Sequence, residues 1–404
     1  MKILVLNAGS SSHKSCLYEI AGRLPQQPPH PLWEAQIDWT YQPGVAEIKV
    51  ETAQGKQVST LPFQERLPAI QALLNSLWSG ETPVIGSAAE IDAVGHRVVH
   101  GGKNYHDSIQ ITPEVEAEIE QLSVLAPVHN PVNLEGIRAI RAILGDQVPQ
   151  VAVFDTAFHA QMPDRAAIYP IPYELSEQGI RRYGFHGTSH RYCAGRTAEL
   201  LERPLSELRI VNCHLGNGGS LAAIRDGRSV STTMGFTPLD GLMMGTRAGS
   251  IDPSILIHLI RQEGYTADKL DYMLNQASGL LGVSGVSNDM RQIDKAIAEG
   301  NPRAQLALDI YMHDLKAFIG AMVAVLGGMD ALVFTAGVGE NAPNVRAGAC
   351  EAFGYMGLKL DLEKNAARPR DEVISTADST VKVLVIHTQE DWAIARDCWH
   401  VLND

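Results

Sequence analysis

The sequence predicts a two-domain α/β protein, and three observations carry that prediction. The chain has 404 residues, 45% of them hydrophobic, which is more than a single core usually organises. Apolar runs of strand length, such as Val151 to Phe154, alternate with stretches of helical periodicity, the pattern of sheets covered by helices on both faces. On that alternation alone the sheets are expected to be largely parallel. A strand-turn-strand unit with a polar Gly/Ser/Asn turn also opens each half, which suggests a pseudo-repeat whose loops face each other across a cleft.

Taken in order, Ile3 to Leu6 reads as a buried strand, Asn7 to Ser12 as a tight turn and Ser15 to Ile20 as the returning strand. The prolines between Pro25 and Pro31 prevent both helix and ladder pairing. Strands are expected at Val45 to Val50, Val58 to Leu61 and Ile91 to Gly95, and helices at Pro113 to Leu125 and Asn133 to Leu144. Val151 to Phe154 then delivers Asp155 to a strand's carboxyl end. The second half begins with Arg209 to Leu215, the loop Gly216 to Ser220, a strand Leu221 to Ile224 and an Asp226-Gly227 hairpin turn. Leu308, Met312, Leu315, Ile319, Met322 and Leu326 form one stripe of a long core-facing helix. Leu332 to Thr335 is a buried strand entering a loop at Ala336 to Asn341, Val381 to Ile386 is a final strand, and Trp392 to Leu402 is the closing helix.

Composition excludes several classes. With 46 acidic against 33 basic residues, a net charge of -13 and no basic block, nucleic-acid binding is disfavoured. No apolar stretch reaches spanning length and the opening residues lack a signal-peptide pattern, so a soluble cytoplasmic protein with no membrane partner is expected. The five cysteines are scattered and never form Cys-x-x-Cys, which points to free thiols. His96, His100, His129, His186 and His190 have no zinc-binding spacing.

The remaining polar clusters suit phosphate chemistry. Asn7, Ser10, Ser12 and Lys14 surround the first turn, which is either a phosphate cradle or an ordinary Ser-rich turn, since Walker A spacing is absent. The loop His214 to Ser220, with three glycines, lets backbone approach an oxyanion, and Asn217 is the side chain aimed there; Gly337-Val338-Gly339-Glu340-Asn341 is a third candidate loop. Arg97 and Arg247 can each grip a carboxylate or phosphoryl group bidentately. Asp155, Glu390 and Asn7 make an oxygen-rich set suited to Mg²⁺.

Nine strings in order along the chain then carry a resemblance: LNAGSSSHK (6–14), GHRVVHGG (95–102), APVHNPVN (126–133), FDTAFH (154–159), RRYGFHGTSH (181–190), HLGNGGS (214–220), MGFTPLDGLMMGTRAGSIDP (234–253), SGVSNDMR (284–291) and FTAGVGEN (334–341). The sequence resembles the acetate kinase (acetokinase) family, within the acetate and sugar kinase/Hsp70/actin superfamily. That resemblance implies a homodimer whose subunit has two ribonuclease-H-like domains with mixed central sheets flanked by helices. Residues 1–154, completed by a C-terminal helix 391–404, would form the first domain and 155–390 the nucleotide-binding one, with ATP and acetate meeting in the interdomain cleft.

The implied activity is reversible, Mg²⁺-dependent (Mn²⁺ as alternative) transfer of the ATP γ-phosphoryl group to acetate, giving acetyl phosphate and ADP. By the same resemblance Asn7 and Glu390 position the metal, and Asp155 lies near metal and acetate. Arg97 and Arg247 bracket the transferring group, assisted by His186. Val99, Val128, Phe185 and Pro238 surround the acetate methyl. Lys14, Ser10, Ser12, His129, His214, Asn217 and Gly218 contact phosphates, and Asp289, Met290, Arg291, Gly337, Val338 and Asn341 flank the adenosine.

Four positions depart from the family pattern: His13 and Cys16 replace apolar or aromatic residues, Met290 replaces an aromatic one, and Val128 replaces a larger aliphatic one. Gln389-Glu390-Asp391 also stands where Asn-Glu-Glu is usual. A propionate or broader short-chain fatty acid kinase is the near alternative, and a non-catalytic nucleotide-dependent chaperone or filament protein is the alternative of a different class.

Overall fold

The computed structural model describes residues 1–8, 12–25, 27–42 and 44–403. The chain divides into two compact units, one formed by Met1–Ala157 together with the residues from Gln389 on, the other by Phe158–Thr388. This division places Asp155 and Glu390 in the first unit, whereas the sequence reading set them in the second domain.

The first unit is built on an eight-stranded sheet. Its strands are β1 (Lys2–Ala8), β2 (Ser12–Glu19), β3 (Trp33–Gln42), β4 (Val45–Thr52), β5 (Gly55–Pro62), β6 (Ala93–Val98), β7 (Ile109–Gln110) and β8 (Gln150–Phe154), in the order β5-β4-β3-β2-β1-β6-β8-β7. Strands β1 to β5 form an antiparallel meander, whereas β1, β6 and β8 run parallel. The sheet is therefore mixed, as the family resemblance implied, and the expectation of largely parallel sheets is corrected: β1 to β5 pair with their successive neighbours, and a connection as short as Ala53-Gln54 between β4 and β5 permits only antiparallel pairing. Strand β3 was not foreseen from the sequence. Its fully buried Trp33 and Ile37 belong to a core shared with Leu4, Leu6 and Leu17.

Helices α1 (Arg66–Asn75) and α3 (Asn130–Leu144) contribute Ile70, Leu73, Leu74 and Ile140 to that core, and α2 (Pro113–Gln121) packs on α3. Helix α3 begins three residues earlier than its apolar periodicity, because Pro131 at its first turn needs no N–H partner. The closing helix, Glu390–Asn403, packs over β1, β6 and β8. Its approach depends on Gly95: a Cβ there would lie 2.7 Å from Ile394 Cγ2 and 3.5 Å from the Ile394 carbonyl oxygen.

The second unit has a six-stranded mixed sheet. Its strands are β9 (Arg209–Leu215), β10 (Gly219–Arg225), β11 (Arg228–Thr232), β12 (Ala331–Thr335), β13 (Glu372–Val373) and β14 (Lys382–Val385), in the order β11-β10-β9-β12-β14-β13. Asp226 and Gly227 both take positive φ, 53° and 73°, and close the β10–β11 hairpin as the sequence indicated. Val211, Cys213 and Leu215 alternate onto a core completed by Leu315, Ile319 and Met322 of a long helix, Pro302–Leu326. The intervening Asn212 and His214 therefore lie on the opposite face of β9. Helix α4 (Gly187–Leu200) packs on β9 and β12, and its Ser189 and His190 bond His214 and Asn212. Among the described residues no helix is long and apolar enough to cross a membrane.

Replacing Gly95 with Ala is expected to destabilise the protein by about 1–3 kcal/mol through overpacking against Ile394. Urea unfolding will show this as a lowered midpoint, and adding Ile394→Leu, which moves the branch off Cβ, should recover part of the loss.

Candidate active site

In the first unit, side chains gather at the carboxyl ends of β1, β6 and β8. Arg97 lies near the end of β6 and Asp155 immediately follows β8, its neighbour in the sheet. The Arg97 Nε donates to both Asp155 oxygens at 3.1 Å, and Nη2 donates to Oδ2 at 2.6 Å. Burial opposes the Arg97 charge, but Asp155, together with Glu390 and Asp391, outweighs it and the guanidinium pKa is raised. Nη1 also donates to Asn7 Oδ1 at 3.3 Å, and Asn7 Nδ2 donates to Asp391 at 3.1 Å.

Glu390 opens the closing helix. Burial raises its carboxyl to about 7; Arg97 works against this, and Asp155 and Asp391 add to it. Such a carboxylate is short of positive charge. Among the described residues no three His, Cys, Asp or Glu side chains form a metal-binding group. A Mg²⁺ ion keeps several waters and takes only one or two protein oxygens beside substrate phosphates, so the Asn7–Glu390 donor set fits it.

The other predicted residues of this unit are more dispersed. Lys14, exposed, pairs with Asn7 across the β1–β2 ladder. Val99 is buried and its N–H donates to Asn133 Oδ1. Val128 is 56% exposed, and His129 is half-buried at the start of α3. Ser10 lies outside the described residues; Ser12 opens β2 and its side chain lies outside the description.

In the second unit, His186 sits before α4 in the left-handed region, with φ 57° and ψ 26°. Its ring stacks on His214 at 4.1 Å, and its Nδ1 is 2.8 Å from Ser220 Oγ. Arg247 is half-buried; its Nη1 donates to the Pro238 carbonyl at 3.3 Å. Burial lowers its pKa from the usual guanidinium value, and among the described residues no carboxylate pairs with it. Gly218 lies between them: a Cβ there would be 3.3 Å from Arg247 Nη1 and 3.7 Å from His186 Nε2. Phe185 is buried, and its carbonyl is 3.0 Å from His159 Nε2.

A cavity of about 890 Å³ opens in this same unit, and Asn217, Asp289, Met290, Arg291, Gly337, Val338 and Asn341 all line it. Its floor is set by three local devices. Asp289 caps the helix α5 (Met290–Ala298) by accepting from the Arg291 N–H at 2.9 Å, and it pairs with the Arg291 guanidinium. The hydrogen bond from Arg291 holds the Asp289 carboxyl below its usual range. Residues Ala336–Asn341, expected as a loop, form a short helix, because the Glu340 carboxylate accepts from the Ala336 N–H and Asn341 donates to the Gly337 carbonyl. Gly245 makes room for Asn217, whose Oδ1 would be 2.2 Å from a Cβ at that position.

Asn288, Asp294 and Tyr311 also line the cavity and were not singled out from the sequence. Asn288 lies within the recognised string 284–291, but Tyr311 sits on the long helix, where periodicity reports only core.

The profile of the acetokinase family matches residues 2–396. The chain belongs to the acetokinase family. An acetate kinase of Gloeobacter violaceus is 64% identical over 404 residues, the whole of both chains, and one of Trichormus variabilis is 62% identical over 405 residues, again covering both. Among solved structures, the acetate kinase of Porphyromonas gingivalis superposes on this acetokinase with a TM-score of 0.91 at 43% identity across all of both chains. A propionate kinase from Francisella tularensis does so with a TM-score of 0.90 at 37% identity and 99% coverage of each.

If the acetokinase cavity takes the nucleotide, Gly245→Ala must displace Asn217 or the Asn288 carbonyl, 3.0 Å from the added Cβ. The expected outcome is a loss of ADP affinity of about tenfold or more, the free-energy equivalent of a lost hydrogen bond, read by titration calorimetry.

Proposed function

We infer that this chain is an acetate kinase, transferring the γ-phosphoryl group of ATP to acetate. The observation that carries the reading is Arg247 with His186 beside Gly218, next to a cavity of nucleotide size, in a chain 64% identical to an acetate kinase over its whole length.

Acetate is ionised near neutrality, since simple carboxylates titrate at about pH 4 to 5, and needs no base to become a nucleophile. Asp155 is therefore assigned to holding Arg97, not to proton abstraction. An acetate oxygen attacks the γ-phosphorus in line with the departing ADP oxygen. Arg97 and Arg247 stabilise negative charge on the equatorial oxygens, where fixed donors count most. His186 donates a hydrogen bond to the moving group. Val99, Val128, Phe185 and Pro238 are assigned to the methyl group, and Lys14, Ser10, Ser12, His129, His214, Asn217 and Gly218 to phosphate contacts. The cavity residues Asp289, Met290, Arg291, Gly337, Val338 and Asn341 are assigned to adenosine. Asn7 and Glu390 would hold Mg²⁺, which supplies positive charge to the phosphate oxygens when bound.

The reading includes a cytoplasmic homodimer. It is supported by five cysteines that are buried and free, and by exposed Ile255, Ile257 and Ile260 on one helix, Ser254–Glu263.

Arg97→Ala and Arg247→Ala should each lower kcat by roughly 10²-fold or more, the scale seen on losing a transition-state donor, while circular dichroism stays native; unchanged turnover in either would remove its role. Acetate should be preferred over propionate, but only modestly, because one methylene in an apolar pocket is worth about 1–3 kcal/mol. Side-by-side kcat/KM values for acetate, propionate and butyrate with ATP and Mg²⁺ will read this directly, and a preference for propionate would reassign the substrate.

A further inference from the structure

A row of buried polar groups ends on His186, and its order fixes where that ring carries its proton. Asn212, at the middle of β9, and Ser220, in β10, are both 0% exposed, as is His190 of α4. The Asn212 Nδ2 lies 2.8 Å from His190 Nδ1. An amide nitrogen only donates, so His190 Nδ1 must accept. Burial, reinforced by His159 and His214, holds His190 well below the ordinary imidazole range, and the neutral ring carries its one proton on Nε2. That nitrogen is 2.8 Å from Ser220 Oγ and donates to it. The hydroxyl has a single proton of its own, and its other close contact is His186 Nδ1 at 2.8 Å.

We propose that Asn212, His190 and Ser220 are positioning residues that lock His186 in the tautomer with its proton on Nε2, so that a donor and not a lone pair meets the transferring phosphoryl group. The proposal rests on the reading of His186 as a phosphoryl contact. Nε2 and Cε1 are the ring atoms on the Gly218 side, where Arg247 Nη1 also lies, and of the two only Nε2 can carry a polar hydrogen. An unheld neutral imidazole could present its Nε2 lone pair to an anionic oxygen, which repels it; a held one presents N–H in every turnover. The stacked partner is handled alike: His214 Nδ1 is 2.8 Å from Ser189 Oγ, and that hydroxyl accepts from Thr388 Oγ1 at 3.0 Å. Two stacked imidazoles are thus each tied at Nδ1 by a serine. The polarity of the first row is set by one amide. Were Asn212 turned to present Oδ1, every bond along the row would reverse and His186 would face the site with a lone pair.

Long-range ¹H–¹⁵N correlation spectra of the full chain labelled in histidine test this directly, with His186 assigned by its loss in His186→Gln. The wild type should show a protonated Nε2 and a bare Nδ1 on His186. Ser220→Ala should give a mixture of tautomers and lower kcat about tenfold, the scale of one net hydrogen bond, with the KM values for ATP and acetate unchanged. His190→Gln, whose amide still donates to Ser220, should keep the wild-type spectrum, and His190→Met should not. A wild-type His186 protonated on Nδ1 or on both nitrogens overturns the proposal, as does a Ser220→Ala protein whose tautomer is unaltered. Undiminished kcat in His186→Ala would instead overturn the phosphoryl contact beneath it, and the two failures are separable because the spectra do not depend on turnover.

Discussion

Taking a guanidinium out of water is costly, and a carboxylate close by offsets that cost; Arg97 has Asp155 on two of its nitrogens. The pair follows from strand register: β6 and β8 are adjacent and parallel, Arg97 lies opposite Val153, and Asp155 is two residues further along. Asn7, at the end of β1 on the other side of β6, completes the bracket. Depriving a buried pair of one partner costs about 3–5 kcal/mol, so the side chain that makes Arg97 available to an anion also belongs to the framework of the sheet. Asp155 is engaged in holding Arg97, which agrees with a reaction whose nucleophile arrives already ionised and needs no base.

Arg247 is held by the opposite means. Its described contacts are the Pro238 carbonyl and the Met244 sulfur, which orient the side chain without cancelling its charge. The small residues around it matter for the same reason. Gly218 and Gly245 leave backbone and amide exposed where any side chain would intrude, and the space so created is what a polyanionic ligand needs.

Much of this was legible in the sequence because it is local. Glycine-rich strings, a strand ending in Asp155 and an Asp-Gly turn are written within a few residues, and so was the family. The cavity residues Asn217, Asp289, Met290, Arg291, Gly337, Val338 and Asn341, named from the resemblance, converge in one place. What escaped depends on distance along the chain. Strand β3 is the exception: buried Trp33, Ala35, Ile37 and Trp39 alternate with Glu34, Gln36 and Asp38, a two-residue period written in the sequence itself. The helix at Ala336–Asn341 exists because a single carboxylate, Glu340, folds back on its own N-terminus and also accepts from Thr388. The row from Asn212 to His186 joins three separate elements, and each member alone looks like ordinary polar filler.

The closing helix carries one more consequence. It lies across β1, β6 and β8, strands finished before residue 155, yet its own residues are made more than two hundred positions later. At ribosomal rates of roughly 5–20 residues per second the sheet waits some tens of seconds with that face uncovered. The nascent chain thus carries an apolar flank open to chaperones while the second unit is still being made.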